Sequence, residues 1–441
     1  MTRRVPRRMF LGAVGAASVG LAGCAGDMPW DGEDVDDGAD PVETDDDDDD
    51  GSEDPTDDEE EETPEEPVEF TPPAIGHGTL VSDFSEDLGS WIAMTGDGVV
   101  EGDEEAALVG ETAAFVRGEG ERAGVFRAFD DFDAEGQHVS FAVKLSELGG
   151  RHVNVEMLAP YQSDSVVARR RIPRELDGWM RMDVGYTGDR GEPSFESINE
   201  MRVWVDSGEE REVEFHLDDL RSTPAADRGQ VILTFDGGFE SHYTTLFDVM
   251  QDRDLQGVIG IVPPTVNVGG RLSIDQMREM RDAGWDMASF PLRNDALPEM
   301  ESEEKRQVIE GDQSYLEGRG FPDGSRIFLA PYHRLDAESL EVVREVHDCS
   351  ITFGGSLNAA PPADAHTLSR INANEMGPVR SFTELAERHN QLLVLRLDEI
   401  GEDAAVDMEY FEGLLDYLED SDLDIVTASE MLDRRDELFG L

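Results

Sequence analysis

Lysine, cysteine and histidine are scarce: the 441 residues hold two lysines, Lys144 and Lys305, two cysteines and nine histidines. Basic positions are nearly all arginine, and Asp plus Glu outnumber Lys plus Arg by 101 to 36, a formal charge of -65. Without a basic stripe to neutralise phosphates, no nucleic acid partner is expected. With only Cys24 and Cys349 present, a disulfide framework is excluded, and Cys349 reads as a small buried apolar residue. The apolar run Leu11 to Gly23 is too short to span a bilayer comfortably. Acidic charge spread through folded-looking segments keeps a surface hydrated but self-repelling at low ionic strength, which points to a salt-loving host.

That short run carries an address. Arg7–Arg8–Met9–Phe10–Leu11 is a twin-arginine pattern ahead of a signal-peptide h-region. It ends in Leu21–Ala22–Gly23–Cys24, which resembles a lipobox, where the cysteine is lipidated and becomes the mature amino terminus. Residues 1–24 are therefore expected to direct export. The membrane partner is then reached through a lipid on Cys24, at the outer face of the cytoplasmic membrane. Residues 25–75, with Asp45–Asp50, Asp57–Glu62 and scattered proline, offer almost nothing to bury. They are expected to be a disordered acidic linker.

Residues 76–224 read as all-β. Short apolar segments at Gly124–Phe129, Val139–Leu145, Val153–Leu158, Met180–Val184, Met201–Val205 and Val213–Leu217 alternate with Gly- and Asp-rich turns, which predicts a sandwich. Leu80–Trp91 (LVSDFSEDLGSW) and Phe215–Arg221 (FHLDDLR) resemble the ends of jelly-roll carbohydrate-binding modules. Trp91, Trp179 and Trp204 could stack on sugar rings or fill a core. Asp218 and Asp219 are candidates to help hold a Ca²⁺ ion.

From residue 225 to 441 strands and helices alternate, the pattern of a parallel sheet wrapped by helices. Strands are predicted at Val231–Phe235, Gly257–Val262, Trp285–Ser289, Ile327–Leu329, Ser350–Phe353, Leu392–Leu397 and Asp424–Thr427. Helices are predicted at Tyr243–Gln251, Ile274–Ala283, Ser302–Glu317 with Ser302 as N-cap, Ala337–Val346 and Tyr410–Glu419. The centre of this half is Val231–Gly238, VILTFDGG: an apolar strand that delivers Asp236 at its carboxyl end, followed by glycines that let the backbone turn. Ligands bind at such strand ends in α/β folds.

This half resembles the polysaccharide deacetylase family, the NodB-homology or carbohydrate esterase 4 group, whose first motif is TFDDG. The resemblance implies an irregular (β/α)₇ barrel and hydrolysis of acetyl groups, a carbon–nitrogen bond other than a peptide bond where the acetyl is on an amine. It also implies a divalent metal such as zinc, held by one Asp and two His. Three protein ligands leave an open position for a water whose pKa the metal lowers, and a carboxylate base takes its proton.

Matched motif by motif, Asp236 takes the place of the base, while Gly237 stands where the metal Asp would be. Gly284–Leu297, GWDMASFPLRNDAL, aligns with GHEIGSHTVSHPDL, so the two metal histidines fall on Phe290 and Asn294. RPPY appears as Leu329–Ala330–Pro331–Tyr332, which keeps Tyr332 for the oxyanion and puts Leu329 where an arginine would pair with the base. Losing that arginine is expected to leave the Asp236 carboxylate less stabilised. LxLH appears as Leu393–Val394–Leu395–Arg396, so Arg396 replaces the catalytic histidine. An ion pair between Arg396 and Asp236 is expected to line the pocket, either as structure or as a holder of an anionic sugar. With the metal motifs lost, no cofactor is expected, unless Asp236, His242, His333 and Asp295 rebuild a metal site. His389 is expected at the surface. Three readings stay open: an active hydrolase with a rebuilt site, an inactive protein that binds a carbohydrate polymer of the cell surface, and an envelope scaffold.

Overall fold

The computed structural model describes residues 77–440, apart from 97, 131, 146–151, 174, 177, 208–211, 353 and 402–403. The expected signal, the Cys24 lipobox and the acidic linker lie outside the described residues. The amino-terminal part is built of β1 (Thr79–Ser82), β2 (Ile92–Ala93), β3 (Val99–Asp103), β4 (Ala113–Gly118), β5 (Arg122–Ala128) and β6 (Gln137–Leu145). It continues with β7 (His152–Leu158), β8 (Ser165–Arg171), β9 (Gly178–Asp183), β10 (Gly188–Arg190), β11 (Glu200–Asp206) and β12 (Val213–Pro224). One antiparallel sheet runs β3-β4-β12-β6-β9 with β1 beside β12; the other runs β10-β8-β7-β11-β5-β2. Alternate residues of both, among them Val125, Phe141, Val155, Val203 and Phe215, share one buried core, as period-two strands packed face to face require. All six segments expected as strands lie in this sandwich.

Two of the three tryptophans belong to packing rather than to a surface. Trp91 and Trp179 are buried, and Trp204 is half-buried. The two acids of the Ca²⁺ expectation are both buried and hydrogen-bonded. Asp218 accepts backbone N–H groups from Leu108 (2.7 Å), Val109 (3.2 Å) and Asp219 (2.6 Å). Asp219 pairs with Arg181 at 2.5 Å and Arg221 at 2.7 Å. Both carboxylates thus also serve as acceptors for protein donors.

The carboxyl-terminal part places eight strands in one parallel sheet: β13 (Gln230–Phe235), β14 (Val258–Ile261), β15 (Asp286–Ser289), β16 (Ile327–Leu329), β17 (Cys349–Ile351), β18 (Ile371–Asn372), β19 (Leu392–Leu397) and β20 (Asp424–Ile425). The order is β17-β16-β15-β14-β13-β19-β18, with β20 beside the start of β13. This is a parallel half-barrel of eight strands, among the described residues, rather than seven repeats. All six residues of β13 are buried, as expected of a parallel strand covered on both faces.

Helix Ala337–Val346 coincides with its prediction, and helix Ile274–Asp282 opens with a capping box of Ser273 and Gln276. Ser302 is not an N-cap: it is the first helical residue, and the extended Glu301 precedes it with no side-chain cap. The first predicted helix starts as a π-helical stretch, His242–Phe247, before Asp248–Gln251. The predicted strand end at Phe353 lies outside the described residues, and the helix Met376–His389 has no counterpart among the predicted elements.

That helix corrects the placement of His389. It ends against the sandwich, where the His389 ring stands edge-on to Tyr186 and Phe195 and lies 3.3 Å from Asp189. The two halves are sewn together along this seam. Gln391 accepts from the Tyr186 N–H and donates to the Val184 carbonyl, and Asp183 accepts from the Ala359 and Ala363 N–H groups. A Cβ on Gly185 would lie 1.6 Å from the Leu357 carbonyl oxygen, so only glycine allows the approach.

Candidate functional site

Three neighbouring strands deliver the charged groups at the carboxyl end of the sheet. Asp236 follows β13 directly, and its N–H donates to the Leu397 carbonyl of the adjacent β19 at 2.9 Å. Gly237 and Gly238, with φ of +96° and +61°, then turn the chain. Arg396 comes from β19, and Arg370 immediately precedes β18, whose Asn372 pairs with Arg396.

Arg370 Nη1 lies 2.9 Å from Asp236 Oδ1, and Arg396 Nε lies 3.1 Å from Oδ2. Arg396 also reaches Asp398 at 3.0 Å. The Arg370 and Asp236 side chains are only 2% and 6% exposed. Burial alone would raise the Asp236 pKa, but Arg370 and then Arg396 outweigh it, and the net shift is downward. This corrects the expectation that Leu329 leaves the base less stabilised. The cation was lost at one strand and supplied by two others.

His333 sits on the same cluster. Its Nδ1 is 3.0 Å from the Thr352 carbonyl and 3.3 Å from Arg370 Nε. Burial, then Arg370 and Arg396, push its pKa down to about 3, so the ring is neutral. Tyr332 and His333 both adopt left-handed backbone, φ +54° and +52°, a strain of roughly 1 kcal/mol or more per residue that the surrounding packing must hold. The Tyr332 hydroxyl donates to the Arg293 carbonyl at 2.6 Å.

The positions matched to metal ligands have other neighbours. Phe290 and Leu329 are buried in one apolar cluster with Val258, Ala288 and Ile351. They close over Gly260, where a Cβ would meet Leu329 at 2.9 Å and Phe290 at 3.2 Å. Asn294 and Asp295 are exposed. At Gly237 a Cβ would come within 2.7 Å of the Phe239 ring. Arg271 stacks on that ring at 4.0 Å and donates to the Gly237 carbonyl at 2.6 Å. His242 Nε2 lies 3.1 Å from the Asp398 carbonyl, and burial lowers its pKa to about 4.

Of the set Asp236, His242, His333 and Asp295, the two histidines lie within electrostatic reach of Asp236, whereas Asp295 is exposed. Among the described residues no three His, Cys, Asp or Glu side chains form a group that could hold a metal ion. The divalent metal implied by the family resemblance does not fit this site, because the remaining carboxylate is already held by two guanidinium cations. An Asp so paired is also a weak base. What the geometry provides is a locally balanced ionic latch above an apolar floor.

Arg370 was missed in the sequence. The only signal was a charged residue beside the apolar Ile371 in a stretch without clear periodicity.

Comparison with known proteins assigns the class. Residues 224–347 match the family model described as polysaccharide deacetylase. The fold is similar to the CE4 domain of a multidomain xylanase from the hindgut metagenome of Trinervitermes trinervoides, at 14% identity over 47% of this chain and 92% of that one, TM-score 0.35. It is also similar to a peptidoglycan deacetylase from Bacillus subtilis, at 12% identity over 48% and 93%, TM-score 0.35. A family 11 carbohydrate-binding module of a Clostridium thermocellum cellulase is similar at 12% identity over 34% and 96%, TM-score 0.27. Comparison with curated proteins gave no match.

Proposed function

We propose that this is an exported surface lipoprotein of a salt-loving cell, whose deacetylase-family barrel binds cell-surface glycan without removing acetyl groups. In this reading residues 1–24 are the signal with Cys24 lipidated, 25–75 a disordered acidic linker, 76–224 a jelly-roll sandwich and 225–441 the barrel. The observation that carries it is the Asp236 carboxylate held between Arg370 and Arg396, with Gly237, Phe290 and Asn294 at the ligand positions. A divalent cation placed there would meet two positive charges and one occupied carboxylate.

The test uses the full chain in multimolar KCl, and measures zinc affinity and acetate release from acetylated oligosaccharides. The expected result is no tight zinc, no acetate, and retention of the protein on envelope glycan. One tight zinc per chain, lost in Asp236→Ala and accompanied by acetate release, would instead establish an active hydrolase with a rebuilt site. Failure to bind any glycan would leave an envelope scaffold.

A further inference from the structure

On the outer face of the sandwich the strand register places exposed arginines in line with a tryptophan. In β8 the run Arg169–Arg170–Arg171 alternates outward, inward, outward: Arg169 and Arg171 are exposed, while Arg170 is buried and donates to the Thr367 carbonyl. On the outward face Arg169 stands opposite Asn154 of β7, Asn154 opposite Trp204 of β11, and Trp204 opposite Gly124 of β5. The row crosses three strand gaps, roughly 14 Å. A Cβ on Gly124 would lie 2.5 Å from that of Trp204 and 2.8 Å from the Met94 sulfur, so the glycine lets Met94 pack beside the half-buried indole.

Charge on this face is unlike the rest of the chain. Arg202 is satisfied by Glu156 at 2.7 Å and Glu200 at 2.6 Å, and Arg122 lies 3.9 Å from Asp206. Arg169 and Arg171 have no carboxylate within ion-pair distance among the described residues. In a chain with 101 acids and 36 bases, two exposed arginines on one strand face with no carboxylate in direct contact among the described residues, Asp206 acting on Arg169 only at longer range, are groups that an external anion can engage. Burial and these two arginines also lower the pKa of the neighbouring His152, to about 4.

We infer that this outer sheet face binds an anionic polysaccharide, with the Arg169 and Arg171 guanidinium groups on its carboxylates or sulfate esters and Trp204 against a sugar ring. Planar guanidinium forks match such oxyanions bidentately, which lysine does not do. Direct contact of that kind is also what survives where the Debye length is about 3 Å, as at 1 M salt. A nucleic acid is disfavoured because Glu156, Glu200 and Asp206 share the face, where a phosphate on every nucleotide would meet them. A glycan charged on some rings only can present hydroxyls to the half-buried Glu200 and Asp206. The inference goes beyond the barrel reading and uses none of the Asp236 cluster.

Titration calorimetry on the full chain in multimolar KCl would use alginate, dextran sulfate, a neutral β-glucan and single-stranded DNA. At least one anionic glycan is expected to bind about tenfold or more tighter than the neutral one. The Arg169→Ala/Arg171→Ala variant is expected to lose about that factor while keeping its unfolding midpoint, and Trp204→Ala to weaken both glycan classes. Alginate alone would assign a carboxylate ligand, and dextran sulfate alone a sulfate ester. Equal affinity for neutral and anionic glycans, an unchanged affinity in the double-arginine variant, or DNA bound as tightly as the best glycan would each overturn the inference. Variants at Asp236 should leave this binding intact, so its failure is separable from failure of the barrel reading.

Discussion

The two halves of the molecule treat arginine in opposite ways. At the carboxyl end of the half-barrel, Arg370 and Arg396 are turned inward on Asp236 and buried with it. On the outer face of the sandwich, Arg169 and Arg171 stand exposed with no carboxylate within ion-pair distance among the described residues. The first arrangement spends its charge inside the protein; the second keeps it for a partner. The end of the sheet where family enzymes place their chemistry is thus the stabilised region here, and the flanking sandwich holds the unsatisfied binding potential.

The sharpest way to break this contrast is to remove the shared carboxylate. Asp236→Ala leaves the buried Arg370 guanidinium without its carboxylate and takes one of Arg396's acids away, and should cost about 3–5 kcal/mol, read as a lowered midpoint in denaturant at fixed KCl. Adding Arg370→Met and Arg396→Leu should recover much of that loss. If the single variant unfolds like the parent, the latch is not what holds this end together.

Acid should remove the contribution of one seam residue, His138. His138 of β6 lies 3.1 Å from the Asn390 carbonyl, and burial pushes its pKa down to about 4 from 6.5. The unfolded chain then takes up a proton near pH 6.5 that the folded chain refuses until about pH 4. The contribution is full above 6.5 and is lost progressively between 6.5 and 4, at about 1.4 kcal/mol per pKa unit. Asp183, on the same seam, has its pKa raised by burial to about 6; its contribution runs the other way and is lost as pH rises from 3.8 to 6. Unfolding at pH 7 and pH 5 should show the parent losing about 2 kcal/mol more than His138→Gln over that interval.

A smaller effect is expected from restoring a family residue. Gly237→Asp places a Cβ 2.7 Å from the Phe239 ring at a φ of +96°, a strain of about 1–3 kcal/mol. Even combined with Phe290→His and Asn294→His it should gain no tight zinc in calorimetry, because Arg370 and Arg396 remain. Tight binding by the triple variant would show that the arginines can move aside. Smallest of all, Arg169→Ala should shift stability by no more than about 0.5 kcal/mol, confirming that this arginine is not a folding element.

Much of the fold was legible because it rests on local periodicity. The buried run Val231–Phe235, the helices Ile274–Asp282 and Ala337–Val346 and the six sandwich strands each announce themselves within a dozen residues. The losses at Gly237, Phe290, Asn294, Leu329 and Arg396 were legible for the same reason, since each falls inside a short motif. The stretch from Gly354 to Gln391 was not, because its short strand and its helix take their order from the seam they pack against.

By itself, then, the sequence determined the two-part architecture, the acidic composition and which residues stand inside the short motifs, all of which are properties of composition or of neighbours along the chain. Only the tertiary structure decided the fate of the charges. Arg370 reaches Asp236 across 134 positions, and Arg169 is aligned with Trp204 by two strand pairings. Pairing over such distances depends on which strands lie side by side, and no local pattern encodes that.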